Sequence, residues 1–173
     1  DNWGDFSADS SSGEGDRPVA AGFATEEGML KQVADIVAAS VASGKQPADI
    51  AILGFSDALL ERVVKSLRDA GQKVTVLEGT GRGGQKRAVV VGDARHAKGQ
   101  QFDTVILVGL DRDSLPDLTD ISNPLHAETK KEDDLRTFLV ALSRAQHQVH
   151  LLWHGTEPSC FVADLGDTVQ RRE

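Results

Sequence analysis

The sequence predicts an α/β fold, a mostly parallel central sheet covered by helices on both faces. Two observations predict it. Short runs rich in Val and Ile, such as residues 102–108 (FDTVILV), are too continuously apolar for a sheet with one wet side. These runs alternate along the chain with segments whose apolar residues recur at helical spacing, and no internal repeat interrupts the alternation.

Residues 1–17 are rich in Asp, Ser and Gly, with only Trp3 and Phe6 suited to a core, and are expected to form a flexible linker. From 26 to 43, Met29, Leu30, Val33, Ile36, Val37 and Val41 line one helical face; Thr25 is placed to cap its start and Gly44 to end it. Residues 49–54 form an apolar run of strand length. Ser56 then opens a second helix carrying Leu59, Leu60, Val63, Val64 and Leu67, closed by Gly71. Residues 73–77, 87–91 and 102–108 read as buried strands, and 111–123, with its Asp, Pro and Asn, as a loop. Leu135, Phe138, Leu139, Leu142 and Ala145 mark a helix over 132–145, followed by a last strand at 149–153. The folded domain is expected over 18–165, with 166–173 as a tail.

At 173 residues the chain is one domain's length, enough to bury a core. A formal net charge of −8 argues against an all-over electrostatic grip on nucleic acid, so any such contact must be local. No apolar run approaches a membrane span and no leader pattern is visible, so the chain reads as cytoplasmic. Cys160, the single cysteine, excludes an internal disulfide and a multi-cysteine zinc site. The chain begins at Asp1 and its only methionine is Met29, as expected of a processed product or of a piece of something longer.

Several motifs fail on context. Residues 79–84 (GTGRGG) satisfy GxGxxG after a strand, but a second strand pattern follows where a phosphate-binding helix is needed. With Arg82, Lys86 and Arg87, the same stretch reads as a basic solvated loop. His147, His150 and His154 lie along one strand, where odd offsets point to opposite faces and spoil a metal cluster. Asp111 and Asp113 begin like a calcium loop, but Leu115 and Pro116 stand where oxygen ligands and a glycine are required. No G-x-x-x-x-G-K-[ST] occurs and no strand ends in a paired Asp-Glu, so the chain alone is not expected to hydrolyse ATP.

Two segments carry a specific signal. Residues 93–103 (DARHAKGQQFD) precede one buried strand, and residues 138–145 (FLVALSRA) precede the last. The first resembles the H-x-A-K-G-L-E-F-D motif of UvrD/Rep-like, superfamily 1 DNA helicases; the second resembles their V-A-L-T-R-A, in the same order. The resemblance spans about 18–165. It departs at Arg95, where the family usually has His; at Gln100 and Gln101, in place of Leu-Glu; at Ser143, in place of Thr; and at Gly54 and Phe55, where an arginine often stands. The family's N-Y-R-S motif is absent from the sequence.

The resemblance implies a RecA-like (P-loop NTPase-like) three-layer sandwich, the C-terminal motor domain of an ATP-dependent helicase or translocase. It implies Arg144 as an arginine finger for ATP bound, with Mg2+, on an N-terminal motor domain. Gly99 and Gln101 then lie near the nucleotide, while Arg95, His96 and Lys98 lie toward single-stranded DNA. Gln for Glu at 101 loses a charge and an acceptor-only group, which weakens the case for a ribose contact there. The alternative is a RecA-like module that has lost catalysis and serves interaction or regulation. An unrelated doubly wound enzyme binding a small nucleotide is disfavoured by the missing strand–glycine–helix loop.

Overall fold

In a computed structural model, residues 16–77 and 87–172 are described. The glycine-rich stretch 79–84 lies outside them, as does the expected linker up to residue 15.

The elements run β1 (Val19–Phe23), α1 (Glu26–Ala42), β2 (Ile50–Gly54), α2 (Asp57–Asp69), β3 (Val74–Leu77), β4 (Val89–Asp93), β5 (Phe102–Leu107), α3 (Pro124–Leu142), β6 (Ala145–His154), α4 (Cys160–Ala163) and β7 (Gln170–Arg172), with 3-10 turns at Pro47–Asp49, Ala94–Ala97 and Gly166–Thr168. Among the described residues seven strands form one sheet in the order β3-β4-β2-β5-β6-β1-β7, and every pairing is parallel. The sheet is thus wholly rather than mostly parallel.

Period-2 alternation sends successive side chains of each strand to opposite faces, so a parallel sheet needs two cores. On one face Ile50 and Ile52 of β2 meet Met29, Val33 and Val37 of α1 and Leu60, Val63 and Leu67 of α2. On the other, Ala51 and Leu53 lie in a cluster with Phe138 and Ala141 of α3 and Phe161 and Val162 of α4. Three layers result. Each fully buried Leu, Ile, Val or Phe contributes about 1.5–3 kcal/mol relative to exposure.

The caps expected at Thr25 and Ser56 form: Thr25 Oγ1 accepts from Gly28 N at 3.1 Å and Ser56 Oγ from Leu59 N at 3.5 Å. Gly44 and Gly71 both adopt positive φ just past their helices.

Several elements differ from expectation. α3 starts at Pro124, eight residues before the expected start at 132, because Asn123 caps it and Pro124 suits the first turn, while its opening turns are mostly solvent-facing. It ends at Leu142, so Arg144 stands in the turn and Ala145 already belongs to β6. β1 carries no strand signature in its sequence, VAAGF. Gly22 is needed there because a Cβ would come within 2.6 Å of the Trp153 ring. Beyond 165, β7 pairs in parallel with β1, so the expected tail contributes a short edge strand.

Candidate functional site

Because the sheet is parallel, the starts of all strands gather at one edge. The residues just before β2, β5 and β6 therefore meet there, however far apart they are in sequence.

The segment before β5 begins at Asp93, the last residue of β4. Asp93 Oδ1 accepts from Arg95 N at 2.7 Å and opens the 3-10 turn Ala94–Ala97. Gln100 N then donates to Ala97 O at 3.1 Å, and Gly99 between them has φ +82°. A Cβ on Gly99 would meet nothing within 4 Å, so the backbone conformation, not space, selects glycine. Phe102, fully buried, fixes the start of β5.

The segment before β6 is the end of α3. Ser143 N reaches back to Leu139 O and Arg144 N to Ala141 O, and Arg144 O accepts from Phe102 N at 2.8 Å, which ties the two segments together. The half-buried Arg144 side chain lies along this junction. Its Nε donates to Val140 O at 3.1 Å, Nη1 to Gln100 O at 3.4 Å and Nη2 to Ser143 Oγ at 3.0 Å. Ser143 Oγ in turn donates to Val140 O at 2.7 Å. Three of the five guanidinium donors thus go to neutral acceptors.

Gly99, Gln101 and Arg144, three residues separated by up to 45 positions, line one cleft of about 580 Å3 together with Asp49, Gln100, Asp103 and Gln146. Gln101 Oε1 accepts from Gln146 Nε2 at 3.2 Å across the β5–β6 start. The Gln100 amide is buried, and neither its nitrogen nor its oxygen has a partner among the described residues.

Arg95, His96 and Lys98 are all exposed, and the first two sit at the opposite edge, just past the end of β4. His96 lines a separate groove of about 760 Å3 with Asp93, Gly92, Leu77 and the α2 side chains Asp57, Leu60, Lys65 and Arg68. Arg95 is engaged: its Nε donates to Asp93 Oδ1 at 2.8 Å and its Nη2 pairs with Oδ2. Burial raises the Asp93 carboxyl, but the Arg95 side chain and amide outweigh it and hold the group below its ordinary value. Lys98 lies between the two edges.

Asp49, Gln100, Asp103 and Gln146 were not legible as cleft residues. Asp49 enters through a 3-10 turn before β2, and Gln146 through an irregularity in which β6 advances three residues, 145 to 148, while β5 advances two, 102 to 104. Bulges of this kind bear no local sequence signature and recur beside functional sites.

Residues 88–156, which contain both motif segments, match the UvrD-like helicase C-terminal domain family. No curated protein matches the chain. Among solved structures, the C-terminal domain of a possible DNA helicase from Lactobacillus plantarum WCFS1 is similar with TM-score 0.70 and 24% identity, over 92% of this chain and 88% of that one. The E. coli DEAD-box protein SrmB, bound to regulator of ribonuclease activity A, is similar with TM-score 0.57 and 12% identity, covering 91% and 90%. The C-terminal domain of the DEAD-box protein Dbp5 gives 0.57 and 12%, covering 90% and 88%. These likenesses establish the RecA-like fold of helicase C-terminal domains. The resemblance carried by the two motifs is shown for residues 88–156.

Proposed function

We propose that this chain is the second motor domain of an ATP-dependent DNA helicase or translocase, and that it supplies Arg144 to ATP held, with Mg2+, on a first motor domain. The observation that carries this reading is the convergence of Gly99, Gln101 and Arg144 on one cleft at the strand-start edge.

The Arg144 fork is planar and always charged, suited to bidentate contact with phosphate oxygens. On domain closure it leaves Val140 O and Gln100 O and meets the γ-phosphate, where it offsets the charge spread over the transferring group. The 93–103 segment runs from the strand-end edge, where Arg95, His96 and, further along, Lys98 lie toward single-stranded DNA, to the strand-start edge and the nucleotide. A shift at one end is thereby passed to the other. Gln101 takes the place of an acidic residue and is already bonded to Gln146, so the ribose contact is weaker than the family motif implies.

The test is ATP turnover of the complete protein with and without single-stranded DNA. Stimulation by DNA supports the motor reading. Turnover indifferent to DNA contradicts it and favours an interaction module.

A further inference from the structure

Lys45 follows α1 in the turn that leads to β2, and its ammonium is used up inside the fold. It carries three N–H donors, and the structure gives each an acceptor: Asp103 Oδ1 at 2.5 Å, Thr104 Oγ1 at 2.9 Å and Gln148 Oε1 at 2.9 Å. Thr104 is fully buried and the Lys45 side chain is 23% exposed.

Asp103 also lines the cleft that holds Arg144. Its second oxygen lies 2.8 Å from His147 Nδ1, a partner that carries charge only when protonated. Burial raises the Asp103 carboxyl, but hydrogen bonds from Lys45 and Thr104 and the charges of Lys45 and His147 outweigh it, so the group stays ionised below its ordinary range. A cleft proposed to receive polyphosphate therefore has the Asp103 carboxylate in its lining, beside Asp49, and Lys45 is the charge set against Asp103.

We propose that Lys45 is a positioning residue of the nucleotide cleft that acts through Asp103: it cancels the carboxylate's charge so that a nucleoside triphosphate can approach Arg144. This inference rests on the nucleotide reading above. A residue that merely pinned the α1–β2 turn onto β5 and β6 would predict something different, because the loss of the pin could not be repaired by neutralising Asp103.

The experiment measures the affinity of the complete protein for a slowly hydrolysed ATP analogue in Lys45→Met, Asp103→Asn and the double variant. Lys45→Met weakens binding roughly tenfold, the scale of one unit charge acting across a partly solvated cleft. It raises KM for ATP and leaves kcat near wild type. The double variant regains wild-type affinity, and Asp103→Asn alone binds more tightly than wild type. A double variant as weak as Lys45→Met overturns the proposal, as does unchanged affinity in Lys45→Met. Should Lys45→Met fail to fold, the isosteric Asp103→Asn decides: tighter binding supports the proposal, and unchanged or weaker binding overturns it. Turnover of Arg144→Ala reports separately on the parent reading, while a wild-type protein that does not bind the analogue overturns both.

Discussion

The backbone carbonyl of Arg144 accepts the amide hydrogen of Phe102 at 2.8 Å, and this bond, with that from Arg144 Nη1 to Gln100 O, joins the two segments that carry the family resemblance. Phe102 is fully buried in the core that α3 also enters, so the position of Arg144 is set by packing and not by a loop of its own.

That dependence is testable at Phe138. Its ring is fully buried, with its centroid 5.8 Å from that of Phe161. Phe138→Ala is expected to cost about 3–5 kcal/mol in denaturant unfolding. The loss would fall on the face that anchors α3, so turnover should decline even under conditions where the variant stays folded.

Much of the fold was legible because its signals are local. Met29, Val33 and Val37 repeat at helical spacing after the cap Thr25, Leu60, Val63 and Leu67 do so after the cap Ser56, and residues 102–108 read as a buried strand. β1 was not, since its composition answers to the Trp153 ring across the sheet rather than to strand propensity. The first half of α3 was not, since its exposed turns carry no stripe. At the site, Gly99 and Arg144 could be read from the motifs. Lys45 could not: its partners Thr104 and Gln148 lie 59 and 103 residues away and become neighbours only through parallel pairing.

DNA contacts should separate Lys98 from Arg95. Lys98 is exposed, whereas Arg95 is bound to the buried Asp93 carboxylate. Lys98→Ala should weaken single-stranded DNA binding uniformly across sequences and reduce the salt slope by about 0.7. Arg95→Ala should instead lower stability, because it strips a buried carboxylate of its guanidinium partner and leaves only the residue-95 amide, with a smaller change in the slope. Salt titrations of binding for both variants check this.

Acid stability follows from Asp93 and Asp103, both held below the ordinary carboxyl value of 3.8 in the folded chain. Groups with depressed folded values add stability that is fully present above the unfolded value and is lost as pH falls through the folded one. Unfolding free energy should therefore drop as pH falls below 3.8. Asp103→Asn should lower stability at neutral pH and make that acid decline shallower. A decline as steep as wild type would show that Asp103 contributes nothing to it.

The central claim rests on Arg144, and DNA-stimulated ATP turnover of Arg144→Ala in the complete protein tests it most directly. The substitution removes three hydrogen bonds to neutral acceptors in a turn and opens no cavity in either core, so folding should be little changed. Turnover should fall by roughly 10³ or more, the scale expected of an arginine finger. Near-normal turnover in a folded variant would contradict the account and leave the cleft without its catalytic residue.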